Sequence, residues 1–266
     1  MGKKNSSLTR VKPLGDEIIA KHALLGTLLS LVNANDIGDF KNDNVFYKGK
    51  EGVGKEKSLP PSPDHLLAII KKIDSDEEFR DYIKKRVKSY TKGKKTLEKR
   101  IALCEKHSEK HSETMEQAIA DIENKIPQTK PWWCKFEGDS QPDLFIENDK
   151  YIVLVEGKRT ERSLTDYTSY LEHRSQMVRH IENTLYYIEE NYGKNAKRVI
   201  AFYIVEKGCG YEDNCEKAYL EKYLNNELDV HETINKDGIK QAILDSFYGC
   251  TTWEAVSGDL RISFPD

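Results

Sequence analysis

The sequence predicts an α/β fold, a mixed central sheet flanked by helices, on three observations. Apolar residues recur at helical spacing in several long stretches. After position 132 short apolar runs bounded by turn residues take over. A near-continuous apolar run at 198–205 then follows a long amphipathic stretch, as a crossover into a parallel strand covered on both faces requires.

The elements are read in chain order. Ile18, Ile19, Leu24, Leu25, Leu28, Leu29 and Val32 make a first buried helix within 18–32. Residues 33–63 are rich in Asn, Asp, Gly and Lys and end in Leu59-Pro60-Pro61-Ser62-Pro63, so they read as a long surface loop. Asp64 caps a helix at 64–73, and Asp74-Ser75-Asp76 caps another that ends near Tyr90. A long polar helix is expected at 96–126, stopped by Pro127 and Pro131. Three strands follow at 132–136, 143–146 and 151–155. An amphipathic helix then spans 163–191, Gly193 ends it, and the strand 198–205 comes next. Helices at 215–228 and 236–247 precede a mixed end containing Trp253. The expected organisation is a helical N-terminal extension over 1–95 and an α/β core with a helical C-terminal part over 96–266.

The 266 residues are 33% charged and 38% hydrophobic, which allows one decorated domain or two small ones. With 42 basic and 45 acidic residues, no global field favours nucleic acid or an acidic membrane, so such a partner must be met by a local patch. The stretch 18–32 contains Lys21, His22 and Gly26 and falls short of the ~20 apolar residues of a membrane span, so no membrane partner is expected. The odd count of five cysteines, widely spaced with no secretion signal ahead of them, favours a reducing cytoplasm.

The chemistry concentrates between Pro142 and Lys158. With Asn148-Asp149 as a two-residue hairpin loop, Glu147 pairs with Lys150, Phe145 with Ile152 and Asp143 with Leu154. Alternation then puts Asp143, Glu156 and Lys158 on one sheet face, with Asp143 the diagonal neighbour of Glu156. Two carboxylates near one point suit Mg²⁺ or Mn²⁺, and an adjacent lysine can assist the attacking water in phosphodiester hydrolysis. A structural ion pair of Lys158 with either acid is the alternative.

Pro142-Asp143, twelve residues, then Glu156-Gly157-Lys158 resembles the signature of the PD-(D/E)XK nuclease superfamily, and the order helix, three strands, helix, strand resembles its restriction-endonuclease-like core. The resemblance covers about 97–208. It implies a metal-dependent nuclease in which Asp143 and Glu156 bind the metal and Lys158 assists attack. Glu137 is a candidate third acid, with Glu123 as competitor. Many members carry a glutamine on the helix after the motif, a place taken here by Gln176. The tyrosine that the RecB-like subgroup shows four residues later is replaced by His180, so no subgroup is assigned.

The segment 84–100 carries nine basic residues, Lys84, Lys85, Arg86, Lys88, Lys92, Lys94, Lys95, Lys99 and Arg100, against the single acid Glu98. Such a concentration can neutralise phosphates. Arg162, Arg179 and His180, on the helix after the motif, join the candidate nucleic-acid contacts. The expected partner is nucleic acid, with DNA the expected polymer, and a homodimer is compatible with the sequence. The alternatives are a non-catalytic nucleic-acid-binding relative and a helical interaction protein with a structural Asp/Glu/Lys cluster. Gly49 to Lys55 matches most of a phosphate-binding loop, but Glu56 stands where a Ser or Thr would ligate magnesium.

Overall fold

In the computed structural model, residues 7–37, 44–47, 56–124, 133–159, 168–171, 174–210, 212–227 and 236–265 are described. The fold is α/β around a five-stranded mixed sheet in the order β1-β2-β3-β4-β5. The strands are β1 Asn44–Tyr47, β2 Leu144–Glu147, β3 Tyr151–Gly157, β4 Arg198–Val205 and β5 Phe247–Thr252. β1, β2 and β3 are antiparallel neighbours, whereas β4 and β5 add in parallel.

Strand alternation separates two cores. Leu144, Ile146, Val153, Val155, Ile200, Phe202 and Ile204 face one layer. It is built from a π turn Ser7–Val11, α1 Lys12–Ala20, α2 Leu24–Ser30 and, at the far end of the chain, α10 Trp253–Leu260. Phe145, Ile152, Leu154, Val199, Ala201, Tyr203 and Val205 face the other layer, which holds α7 Gln176–Tyr192, α8 Lys217–Glu227 and α9 Lys236–Ser246. Both faces of β3 and β4 are therefore covered, which explains their unbroken apolar runs.

Between β1 and β2 the chain makes four helices, α3 Pro63–Ser75, α4 Glu77–Tyr90, α5 Lys94–Leu103 and α6 His111–Glu123, around a core of their own. Ser62 caps α3 by accepting from the His65 N–H at 3.2 Å, with Pro63 in the first turn. Asp76 caps α4 by accepting from Phe79 N–H at 2.9 Å.

Several sequence expectations change. The single helix expected at 96–126 is two, because the polar run between Cys104 and Met115 turns the chain so that Leu103, Cys104, Met115, Ala118 and Ile122 all enter one core. The strand expected at 132–136 is absent among its described residues: Trp133, Cys134 and Phe136 pack into the helical core, and Arg100 donates to the carbonyls of Trp133 and Lys135 that a strand neighbour would have used. The loop expected at 33–63 contains β1, whose pairing with β2 brings a strand from the N-terminal part of the chain into the sheet. α7 starts at Gln176 rather than 163: Ser175 caps it, and Leu171 belongs to the helical core. β5 and α10 replace the mixed end, and Gly249, at φ +84°, carries the register shift that lets β5 follow β4. The segment around Gly49 to Lys55 lies outside the described residues.

Candidate metal and phosphodiester site

The hairpin turn falls one residue later than the alternation alone suggested. Asn148 N–H donates to Tyr151 O at 3.1 Å, and the Asn148 side chain accepts from the Lys150 and Tyr151 N–H groups at 2.8 and 3.0 Å, so the loop is Asp149-Lys150. Phe145 consequently pairs with Leu154 and Leu144 with Val155. The register moves by two residues, which preserves the face of every side chain. One step past Leu144 and Val155, Asp143 stands directly opposite Glu156 instead of diagonal to it.

Glu156 is 3% exposed and Lys158 5%, whereas Asp143 and Gln176 are half-buried, so the cluster opens on the side of these last two. Lys158 Nζ donates to Glu156 Oε1 at 2.9 Å and to Gln176 Oε1 at 3.0 Å. Gln176 holds the first position of α7, and the sequence expectation that it neighbours the motif is matched by that contact. The Gly157 N–H donates to Asp143 Oδ2 at 3.0 Å.

His180, one turn into α7, lies 3.2 Å from Glu156 Oε2 through Nε2. Burial depresses its basicity more than Glu156 restores it, so the ring is neutral and Nε2–H donates to the carboxylate. Burial alone would raise Glu156, but the Lys158 ammonium, with the His180 hydrogen bond, holds it below the usual carboxylate range. Glu156 is therefore an ionised buried acid.

The opposite face sets the strand end. A Cβ on Gly157 would come within 2.8 Å of both Trp253 Cζ2 and Val11 Cγ2, so only glycine lets the indole close over this point. The Trp253 indole N–H in turn donates to Lys158 O at 3.0 Å, and Lys158 N–H donates to Ile204 O at 2.8 Å. A residue from the C-terminal helix thus fixes the backbone that presents Glu156 and Lys158.

Glu137 does not join them as a third ligand. It is enclosed by Arg174, whose Nε and Nη2 donate at 2.7 and 3.1 Å, by His65 Nε2 at 3.1 Å and by Arg179 Nε at 3.4 Å. Although burial opposes ionisation, Arg174 and His65 hold Glu137 well below the usual carboxylate range. Arg174 also bridges to Glu182. Glu123 is exposed at the end of α6. Among the described residues no group of three or more His, Cys, Asp or Glu side chains is placed to hold a metal.

The candidate nucleic-acid contacts divide sharply. Arg100 is buried, donating to Trp133 O, Lys135 O and the Tyr170 hydroxyl, and His180 is buried on Glu156, so neither meets a phosphate. Arg179 donates to the Gly138 carbonyl at 3.2 Å. Lys84 pairs with Glu105 at 3.0 Å, and Lys99 reaches Gln117 at 3.0 Å. Arg86 donates to Ser169 O and Thr168 O. Lys85, Lys88, Lys92, Lys94 and Lys95 remain on the surface. Arg162 lies outside the described residues.

Sequence reasoning missed His65, Arg174, Glu182 and Trp253. Arg174 stood two residues from Gln176 and was readable as a charge beside the motif. Nothing local marks His65 or Trp253, whose partners are distant in sequence. No helix among the described residues is long and apolar enough to cross a membrane. Comparison with protein-family models, with curated proteins and with solved structures finds no match.

Proposed function

We propose that this protein hydrolyses phosphodiester bonds of nucleic acid, with DNA the expected polymer and Mg²⁺ or Mn²⁺ the expected cofactor. The observation that carries the reading is the convergence of Asp143, Glu156, Lys158 and Gln176 at one end of β2, β3 and α7, open on the Asp143 side. Two carboxylates completed by water match how Mg²⁺ is usually held, since the ion keeps several waters for the substrate phosphate. Asp143 and Glu156 would hold the cation, which would polarise the scissile phosphate. Lys158 is placed to orient the attacking water or offset the developing charge, and Gln176 keeps the ammonium in place.

The element order adds support. α2, β1, β2, β3, α7 and β4 run helix, three antiparallel strands, helix, parallel strand, the order of the resemblance, with α3 to α6 inserted between β1 and β2. In this restriction-endonuclease-like reading the first core helix and strand come from the N-terminal part of the chain.

One observation favours a second reading, a relative that binds nucleic acid without cutting it. Both Glu156 oxygens are engaged, by Lys158 and His180, so a cation must share an oxygen with one of these donors or displace it to enter. The test is cleavage of single-stranded and duplex DNA and RNA with and without Mg²⁺ or Mn²⁺. Metal-dependent cutting lost in Glu156→Gln supports the hydrolase; binding with no cutting at saturating metal supports the second reading.

A further inference from the structure

The basic segment 84–100 is sorted by the structure into residues that hold the fold and residues that face outward. Lys85, Lys88, Lys92, Lys94 and Lys95 are exposed at the end of α4 and across the turn into α5. Among them stands Tyr90, an aromatic side chain 48% exposed.

A lone exposed tyrosine needs no explanation. This one is held from behind. The Arg86 guanidinium lies 4.7 Å from its ring centroid, and the Tyr170 ring meets it nearly edge-on at 6.4 Å. Arg86 is itself fixed, its Nε donating to Ser169 O at 2.8 Å and its Nη2 to Thr168 O at 3.1 Å. Tyr90 is therefore a positioned ring with an accessible side, at the end of α4 where the chain runs on into the exposed Lys92, Lys94 and Lys95, while Lys85 and Lys88 lie on another face of the helix. The backing segment Thr168 to Leu171 leads, within a few residues, to Gln176 at the candidate site.

We propose that this surface docks single-stranded nucleic acid, phosphates on Lys92, Lys94 and Lys95 and a base stacked on Tyr90. The proposal rests on the nuclease reading for the nature of the polymer. Charge complementarity selects a polyanion, and the ring selects among polyanions. Every nucleobase offers a π face to an aromatic platform, but in a duplex those faces are already stacked on their neighbours. An acidic peptide or an anionic lipid surface would use the lysines and leave the ring idle.

The test uses the full wild-type chain in EDTA, so that no cutting occurs, with fluorescein-labelled single-stranded DNA, single-stranded RNA, the matching duplex and polyglutamate, each over a range of salt. Single strands are expected to bind more tightly than duplex or polyglutamate, and the preference between DNA and RNA identifies the polymer. Tyr90→Ala is expected to weaken single-strand binding about fivefold or more, as loss of one base stack does, with Tyr90→Phe retaining it. Lys92→Gln with Lys94→Gln should flatten the salt dependence by a slope of ~0.7 per lost contact. Duplex or polyglutamate bound as tightly as single strands, or Tyr90→Ala folded and unchanged in affinity, overturns the proposal. Should Tyr90→Ala misfold, an unchanged salt slope in the lysine pair overturns it instead. Single-strand binding with no cleavage in any metal would remove the nuclease reading and keep this surface. Cleavage untouched by the Tyr90 and lysine variants would do the reverse.

Discussion

Glu137 and Glu156 are both buried and both held ionised, yet their surroundings differ in kind. Glu137 is enclosed by two guanidinium groups, Arg174 and Arg179, and by the imidazole of His65. Glu156 has one ammonium and one neutral imidazole, and it stands opposite a half-buried acid at the open end of a strand pair. The first arrangement joins α3, the segment before β2 and the N-terminal part of α7. In the second, a buried acid and a half-buried one stand opposite each other at the end of the strand pair. Burial of a charged acid alone does not identify a site; what differs is whether its surroundings are cationic groups only or include a second, less buried acid.

On the proposed hydrolase reading, the largest expected effect lies in cleavage. Asp143→Asn, Glu156→Gln and Lys158→Ala should each lower the metal-dependent cleavage rate by ~10²–10³-fold or more, measured as single-turnover rates at saturating Mg²⁺. The two acid variants should also weaken metal binding by calorimetry, whereas Lys158→Ala should leave it intact. Robust cutting by folded Glu156→Gln would remove the mechanism.

The contrast then inverts for stability. Glu137→Gln takes one of two carboxylates from Arg174, leaving it on Glu182, and removes the charge facing His65 and Arg179, so it should cost about 3 kcal/mol in urea unfolding, the low end of the range for breaking a buried pair. Asp143→Asn, half-buried and isosteric, should cost under ~1 kcal/mol. Equal costs for the two would erase the distinction between an internal cluster and an accessible one.

Acid probes both clusters together. The carboxyls of Glu137 and Glu156 lie below their ordinary value of 4.5, so the stability they contribute is complete above it and is lost as pH falls through the depressed values. His180 lies below its ordinary 6.5, so the unfolded chain takes up its proton first and stability begins to decline below that pH. Thermal unfolding from pH 8 to pH 3 should therefore show a shallow fall that starts near neutrality and a steeper one below 4.5. His180→Gln should remove the shallow part.

Gly157→Ala is expected to cost about 1–3 kcal/mol, because the new methyl would meet the rigid Trp253 ring and Val11. Trp253→Phe should remove the anchor on Lys158 O without that crowding, and its cleavage rate reports how far the anchor positions the site. The smallest effect is at α5, whose first turn carries Lys94 and Lys95 and no acid. Replacing either by Gln should raise stability by ~0.3–1 kcal/mol at low salt, since a cation opposes the helix dipole there.

Much of the site was legible from local pattern. Strand alternation and an asparagine turn put Asp143, Glu156 and Lys158 on one face, and the two-residue displacement of the turn left that result intact because side-chain facing depends on parity alone. Gln176 was marked by the family resemblance, which implies a glutamine on the helix after the motif, and not by local pattern. The role of Glu137 was not legible, because it depends on Arg174, His65 and Arg179, and His65 lies 72 positions away. Arg100 and His180 looked like phosphate contacts for the same reason: composition counts charges but does not say which of them the fold buries.

By itself the sequence determined the α/β class, α3, α4 and the centre of α7, the hairpin β2–β3, the buried strand β4 and the facing of the acidic pair. These depend on periodicity, caps and turns, interactions that close within a few residues. Only the tertiary structure decided that β1 pairs with β2 across the four-helix insertion, that β5 extends the sheet, and that Trp253 closes over Gly157. A four-residue strand has no stability of its own and exists because a partner lends its hydrogen bonds and an apolar face. The partner of β1 lies about a hundred residues downstream, beyond the range of any local signal.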